Sequence, residues 1–169
     1  KFNEENNEEA GEHWTPRDAV RLMANLVFLP IESEIKSGTY LLYDCACGTG
    51  GMLISCLAEV KRRGGDIRTT GLFGQELITI TAAIARMNLV IHGVSDFHVA
   101  SGSTLSDPAF AQGDSLRTFD VVLANPPFKG SLDHDAVDPA ILRTVSSKKT
   151  ELLFIGLILR ALRPGGRAA

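Results

Sequence analysis

Residues 119–128 read FDVVLANPPF, and the first six of them predict a buried strand of a parallel sheet. The strand must end at Pro126 and Pro127, because proline has no N–H group to donate to a sheet ladder. Ligands of open α/β sheets bind just beyond the carboxyl ends of the strands. Asn125, held between the strand and the prolines and followed by Phe128, is therefore suited to binding a flat base that carries an amino group. The alternative is an ordinary Asn-Pro turn.

The apolar pattern on either side of this stretch predicts alternating strands and helices. Three more strands are predicted, at residues 40–46, 70–75 and 97–100. Helices are predicted from Thr15-Pro16 onward, at residues 51–63, from Ile80 to Ile91, and from Leu152 to Leu162. This alternation is typical of an α/β fold in which helices cover a parallel sheet.

The predicted helices carry caps and apolar faces. Thr15 is expected to cap the first helix, with Pro16 as its first residue. The core face of that helix is predicted to consist of Val20, Met23, Ala24 and Val27. The third helix is amphipathic through Ile80, Ile84, Met87 and Ile91. The core face of the last helix is predicted to consist of Leu152, Ile155, Leu159 and Leu162.

Composition excludes several classes of protein. The chain has 169 residues, of which 44% are hydrophobic and 22% charged, as in a single soluble globular domain. It contains no apolar run long enough for a membrane span, and no signal peptide. The chain has three cysteines, Cys45, Cys47 and Cys56, and this odd number argues against a set of disulfides. No second pair of metal ligands follows Cys45 and Cys47 in the sequence, which argues against a metal site. We therefore expect buried free thiols in a cytoplasmic protein. The net charge of −3 indicates that DNA, if bound, is held by a local basic patch or through a partner.

Both ends of the sequence and one internal segment differ from this pattern. Residues 1–12 are acidic and rich in Asn, so we expect a flexible lead-in. The sequence has no initial Met and stops soon after Pro164-Gly165-Gly166, a turn that should start another strand. We therefore expect part of a larger protein, truncated before its last strands. Residues 129–150 carry several basic side chains without periodicity, which is typical of a functional or disordered loop.

A glycine-rich loop between two acidic residues follows the first predicted strand. Its glycines, at positions 48, 50 and 51, allow a sharp turn and a close approach of the backbone to a ligand. Such a loop could suit phosphates, but Asp44 beside it would repel a pyrophosphate. Glu76 ends the next strand, where an acid commonly binds ribose hydroxyls. Together these residues favour S-adenosylmethionine, which has an amino group, a sulfonium and a ribose. The alternative for Glu76 is an acid favoured by a helix N-terminus.

Several motifs, in their order along the chain, resemble those of a known family. Residues 44–51, DCACGTGG, resemble the cofactor motif of the gamma-class adenine-N6 DNA methyltransferases. Asn125-Pro126-Pro127-Phe128 resembles their catalytic motif, and Trp14-Thr15-Pro16 their upstream cofactor-closing motif. With Gly74-Gln75-Glu76-Leu77 and residues 163–167, the pattern is most similar to the modification (M) subunit of type I restriction–modification enzymes. The resemblance covers residues 11–169.

The resemblance implies a Rossmann-like methyltransferase sheet, and an enzyme that transfers a methyl group from S-adenosylmethionine to N6 of adenine in DNA. Residues 13–169 would form part of its catalytic domain. The Asn125 side-chain oxygen and the Pro126 carbonyl would accept the two N6 hydrogens. Phe128 would stack on an adenine flipped out of the duplex.

The resemblance also implies the cofactor contacts and the partners. The implied cofactor-binding residues are Thr15, Pro16, Asp44, Cys47, Gly48, Thr49, Gly50, Gly51, Glu76, Ser103 and Thr104. The implied partners are double-stranded DNA, a specificity subunit, a second modification subunit and a restriction subunit, with neither metal nor membrane. We expect the chain to be inactive by itself.

Two positions depart from the family pattern, and two other functions remain open. Cys45 stands where the family often has Pro, and Gly102-Ser103-Thr104 where it often has Asp or Asn near the cofactor's adenine. One alternative enzyme methylates an RNA adenine or a protein glutamine amide, although the glutamine class usually has Tyr in place of Phe128. The other alternative is a non-catalytic scaffold that binds a specificity subunit, which would need neither the two acids nor Asn125.

Overall fold

The computed structural model describes residues 15–31, 40–65, 70–112, 115–127 and 133–169. The predictions for the lead-in at residues 1–12, for Trp14 and for Phe128 lie outside these ranges.

A five-stranded parallel sheet forms the centre of the fold. Its strands are β1 (Tyr40–Asp44), β2 (Thr70–Glu76), β3 (Phe97–Ser101), β6 (Phe119–Val122) and β7 (Leu162–Ala168). A separate antiparallel pair consists of β4 (Ala111–Gln112) and β5 (Ser115–Leu116). The large sheet has the order β3-β2-β1-β6-β7, with every neighbouring pair parallel. The four predicted strands are thus confirmed to within two residues at each end.

Helices cover both faces of the sheet. They are α1 (Arg17–Phe28), α2 (Gly51–Arg62), α3 (Thr79–Ile91), α4 (Pro139–Thr144) and α5 (Thr150–Ala161). The first three pack in one hydrophobic core, and the last two pack in a second core on the other face. The predicted α/β class is confirmed. The longest helix in the described ranges has 13 residues, and none of these helices could cross a membrane.

The central strands read as continuous apolar runs because both of their faces are buried. In β1, Leu42 belongs to the core beneath α1, α2 and α3, whereas the next side chain, Tyr43, belongs to the other core. The Tyr43 ring stacks on Phe119 of β6 with ring centroids 4.6 Å apart, and Phe73 of β2 lies 5.2 Å from Phe119. This aromatic cluster fixes the three central strands against one another.

Two helices bury a different face from the one that their large apolar residues predict. The amphipathic set of α3 is exposed: Ile80, Ile84, Met87 and Ile91. The buried residues of α3 are Ala82, Ala85 and Leu89. In α5 the predicted core face was wrong, because Leu152, Ile155 and Leu159 are exposed. The buried residues of α5 are Leu153, Phe154, Gly156, Leu157 and Ala161. Each of these buried faces contains small residues, which allow the helix backbone to approach its neighbours closely and which the spacing of the large apolar residues does not reveal.

Two further segments differ from prediction. Residues 133–150 are not an irregular loop, since they contain α4, whose first turn is capped by the Asp138 carboxylate through a 2.6 Å bond from Ala140 N. The Pro164-Gly165-Gly166 turn does not precede the last strand but lies within β7. Phe119 of β6 pairs with Leu162 of β7, and Val121 of β6 pairs with Arg167 of β7. The residues of β7 between these two pairs, which include the turn, therefore form an irregularity in the strand pairing. β6 is thus an inner strand of the sheet, paired with β1 on one side and with β7 on the other.

Candidate active site

Two of the predicted site residues, Asp44 and Asn125, lie where the strand order of the sheet reverses. From β1 the chain adds β2 and then β3 on one side, and afterwards crosses to place β6 on the other side of β1. Tyr43 pairs with Val122, and Leu123 N donates to Tyr43 O at 3.0 Å. The carboxyl ends of β1 and β6 therefore lie side by side, which brings Asp44 to the same edge as Asn125. Ligands of open α/β sheets bind at such a switch point.

The loop after β1 is held from three directions. Its first turn is closed by Gly50 N, which donates to Cys47 O at 2.8 Å. Cys47 N donates to Gln75 O of β2 at 3.0 Å, and the Asn88 side chain of α3 donates to Thr49 O at 3.0 Å. Glycine is required at positions 48 and 50, where φ is +52° and +81°. The loop is thus a fixed cradle before any ligand binds.

Cys47 has an internal packing role. Its side chain is buried, and a Cβ added to Gly74 of β2 would lie 2.9 Å from Cys47 Sγ. Glycine at position 74 is therefore what allows the loop to pack this tightly onto β2. Burial raises the pKa of the Cys47 thiol, with smaller contributions from Asp44 and Glu76. A cofactor contact of Cys47 remains a prediction.

Asp44 is a buried carboxyl group, only 1% exposed. Burial raises its pKa from 3.8 to about 7, the hydrogen bond from Ala46 N opposes this, and repulsion from Glu76 adds to it. Ala46 N donates to Asp44 Oδ1 at 3.1 Å. In the described ranges Asp44 forms no ion pair, so only the hydrogen bond from Ala46 N offsets the cost of its negative charge. A cation bound beside it would offset that cost further.

Glu76 links the glycine loop to the end of β2. Its Oε2 accepts from Gly48 N at 3.0 Å, and its Oε1 accepts from Ile78 N at 3.0 Å. The carboxylate thus orders the loop while it remains half-buried. Each carboxylate oxygen has two lone pairs, so both oxygens can still accept a further hydrogen bond from a ligand hydroxyl.

Asn125 stands exposed, separated from the end of β6 by Leu123 and Ala124. The backbone before it is fixed by β7, since Ala124 N donates to Ala169 O at 3.2 Å and Ala169 N donates to Val122 O at 3.1 Å. Its side-chain Nδ2 donates to Thr15 Oγ1 at 3.0 Å. Pro126 and Pro127, which follow, are half-buried. The strand end thus presents the amide of Asn125 to solvent on a rigid support.

Thr15 and Pro16 differ from their predicted helical roles. The N-cap of α1 is Pro16, no side chain caps this helix, and the Pro16 carbonyl accepts from Val20 N at 3.1 Å. The prediction of Thr15 as the N-cap was therefore wrong. Its hydroxyl contacts Asn125 instead, which places Thr15 at the site although it is distant from Asn125 in sequence. A cofactor contact of Pro16 remains a prediction.

Ser103 and Thr104 lie in the turn after β3 and bond within the fold. Ser103 Oγ accepts from Ser106 N at 3.2 Å. Thr104 is buried, and its hydroxyl donates to Cys45 O at 2.6 Å. A cofactor contact of Ser103 or Thr104 remains a prediction, although the Thr104 hydroxyl proton is already used in the fold.

Sequence reasoning missed Gln75, which organises the same turn. Its side chain is 1% exposed, donates to Asp107 O at 2.8 Å and accepts from Ala109 N at 3.0 Å. A glutamine in an otherwise apolar buried strand is the signal that could have indicated such a role, because a buried amide needs partners. In the described part of the chain, no group of three or more His, Cys, Asp or Glu side chains is arranged to hold a metal ion.

Several proteins of known type resemble this chain. The methyltransferase subunit of a type I restriction–modification system from Streptococcus thermophilus superimposes with a TM-score of 0.78 at 29% identity, over 95% of this chain and 34% of that one. The modification subunit of a putative type I restriction enzyme from Vibrio vulnificus gives a TM-score of 0.66 at 26% identity, over 96% and 34%. The MjaIX type I methylase subunit of Methanocaldococcus jannaschii is 32% identical over 132 residues, 78% of this chain and 21% of its own.

The chain spans about a fifth to a third of the length of such relatives. The EcoEI type I methylase subunit of Escherichia coli, for example, is 29% identical over 169 aligned residues, which cover 95% of this chain and 32% of that protein. The sequence profile of the N-6 DNA Methylase family matches residues 1–169. With its parallel sheet and its acidic and amide side chains at the switch point, the chain belongs to the N-6 DNA methylase family.

Proposed function

We propose that the chain is part of the catalytic domain, at residues 13–169, of a type I modification subunit that methylates N6 of adenine in DNA. The observation that carries the proposal is the meeting of Asp44 and Asn125 at adjacent strand ends of the switch point. One side chain suits a cationic cofactor, and the other suits an amino group. Family membership and the type I relatives support the choice of DNA adenine.

The residues present fit S-adenosylmethionine as cofactor. Asp44 is buried without a cationic partner in the described ranges, and its raised pKa reflects the cost of that charge. The amino and sulfonium groups of the cofactor would offset this cost. Glu76 keeps lone pairs for ribose hydroxyls. A Cβ added at Gly48 or Gly51 would meet nothing within 4 Å, so a ligand has room to approach the backbone of the loop there. When bound, S-adenosylmethionine supplies a methyl group on a positively charged sulfur.

Asn125 and Pro126 would prepare the adenine amino group to accept that methyl. The N6 lone pair is delocalised into the ring, so N6 is a poor nucleophile. The Asn125 Oδ1 and the Pro126 carbonyl would each accept one N6 hydrogen, which favours a pyramidal nitrogen with a free lone pair. Because these acceptors are fixed in advance, they also stabilise the positive charge that develops on N6. The surplus proton then leaves N6 to water.

The flipped base needs a stacking surface, a role that we assign to Phe128. Extruding a base costs a few kcal/mol, and one aromatic stack contributes roughly 1–3 kcal/mol. Stacking therefore offsets much of the cost. With a net charge of −3, the chain depends on other parts of the complex for most contacts with DNA phosphates. We assign those contacts to a specificity subunit and a second modification subunit, in a cytoplasmic complex that also takes up a restriction subunit.

The decisive experiment measures adenine methylation by the intact complex carrying Asn125→Ala. We expect unchanged cofactor affinity and a loss of methyl transfer of about 100-fold or more, because an acceptor of the transition state is removed. Asn25→Ala serves as a control amide, since Asn25 contacts Arg21 O and Arg63 on α1 and α2 instead. Turnover should survive in this control. Wild-type turnover of Asn125→Ala, or methylation of RNA or glutamine in place of DNA by the wild type, would refute the proposal.

A further inference from the structure

One side-chain contact connects the start of α1 with the end of β6. Asn125 Nδ2 donates to Thr15 Oγ1 at 3.0 Å, across 110 positions of sequence. Within the described residues, this is the one hydrogen bond of either side chain. The contact joins a residue predicted to bind the cofactor with the residue predicted to hold the substrate.

Thr15 directly precedes the N-cap of a helix that is anchored in the core. Pro16 restricts the backbone of the residue that precedes it. The same proline is the N-cap of α1, which is anchored in the core through Val20, Ala24 and Val27. Thr15 thus lies two residues before a helix that is anchored in the core, which limits the positions that its hydroxyl can take.

An amide side chain has two orientations of nearly equal shape, and only one of them suits an amino group. In the observed orientation Nδ2 faces Thr15, so Oδ1 remains free to accept a hydrogen from an amino nitrogen. In the reversed orientation an NH2 group would face the substrate's NH2 group, and neither could accept. We propose that Thr15 is a positioning residue, which holds the Asn125 amide with its oxygen towards the amino group of the substrate. This inference rests on the proposed function.

The hydroxyl of Thr15 can both accept and donate. When it accepts from Nδ2, its own proton remains available to a second acceptor. Once that proton is donated elsewhere, for example to a bound ligand, the hydroxyl can serve Asn125 only as an acceptor. Thr15 then fixes the amide in the productive orientation. Ligand binding on one side of Thr15 is thereby linked to substrate orientation on the other.

The test compares Thr15→Val, Thr15→Ser and the control Thr144→Val in the intact complex. Valine keeps the shape and removes the hydroxyl, and serine restores it. Thr144 donates to Ala140 O within α4, so its substitution removes a hydroxyl bond away from the site. We expect Thr15→Val to lower kcat at saturating DNA and cofactor by about tenfold, as for one lost hydrogen bond, with serine within about threefold of wild type.

A residue that only bound cofactor would behave differently. Its loss would raise the dissociation constant of S-adenosylmethionine and leave kcat at saturation unchanged, and that outcome would overturn the positioning role.

A second measurement does not depend on activity. The shift of the thermal unfolding midpoint caused by Thr15→Val should disappear in an Asn125→Ala background, because the partner is already gone. An equal shift in both backgrounds would show that the contact is not made, and would overturn the inference even if the complex methylates adenine. A wild-type complex that fails to methylate adenine would instead refute the proposed function, whatever the unfolding data show.

Discussion

Asp44→Asn should stabilise the cofactor-free protein at high pH while it weakens cofactor binding. The folded-state pKa of Asp44, about 7, lies about three units above the ordinary value of 3.8, because burial disfavours the charged form. This difference in pKa corresponds to about 4 kcal/mol of unfolding free energy, by which the wild type is less stable when Asp44 is ionised than when it is protonated. The folded state binds the proton more tightly than the unfolded state. The Asp44 contribution to stability therefore falls as pH rises from about 4 to about 7, and stays constant above that range.

The assay is urea unfolding of wild type and Asp44→Asn, without cofactor, at pH 5, 6, 7 and 8. Asparagine keeps the shape and can still accept from Ala46 N, but it carries no charge at any pH. The free energy of unfolding of the variant, relative to wild type, should rise by about 2–3 kcal/mol from pH 5 to pH 8. Thr144→Val is an uncharged reference, whose difference from wild type should not vary with pH. A difference for Asp44→Asn that is equal at pH 5 and pH 8 would refute the reasoning.

Cofactor binding should depend on the same ionisation of Asp44, but it should become stronger as pH rises, whereas stability falls. The ionised form of Asp44 is the one that suits a cation, and its share falls from about nine tenths at pH 8 to about one tenth at pH 6. The dissociation constant of S-adenosylmethionine for the wild type should then rise about tenfold between these two pH values. The variant should bind weakly at both. Thus the charge that lowers stability is the charge that the cofactor requires.

Two substitutions test how the cradle is built. Gly74→Ala places a methyl group 2.9 Å from the sulfur of Cys47, so denaturant unfolding should show a loss of about 1–3 kcal/mol. Gly51→Ala is its control for stability, because a Cβ there meets nothing within 4 Å. Thr104→Val removes the buried bond to Cys45 O, and should cost about 1–2 kcal/mol of unfolding free energy with little change in cofactor affinity. A large loss of affinity without a loss of stability would instead support a direct cofactor contact.

The sheet and the placement of the site were largely predictable from the sequence. Buried parallel strands read as unbroken apolar runs, and the strand that precedes Asn125 is one of them. The residues that follow such strands must lie at one edge of the sheet, so Asp44, Glu76 and Asn125 could be placed together before any distance was known. What the pattern could not give was the order of strands, and hence the side-by-side position of Asp44 and Asn125.

The errors arose where packing depends on small residues or distant partners. In α5, Gly156 lies against Val145, whose Cγ2 would be 3.0 Å from an added Cβ, so the helix approaches its neighbour through a glycine that periodicity ignores. Thr15 is a good N-cap by local rules, but its hydroxyl bonds to Asn125 instead. Local propensity cannot anticipate a partner that only the complete fold supplies.

The two halves of the site differ in solvation, and the difference follows from their chemistry. Asp44 is buried, so its charge is costly until a cation arrives, and water competes little for it. Asn125 is neutral, so exposure costs it little and leaves its oxygen open to a base that must enter from outside. Exposure alone would leave the amide free to rotate, and a single bond to the start of α1 opposes that rotation. The fold can therefore keep the cofactor side of the site buried, at Asp44, and the substrate side exposed, at Asn125, on neighbouring strands. The hydrogen bond to Thr15 then fixes the rotation of the Asn125 amide, which exposure alone would leave free.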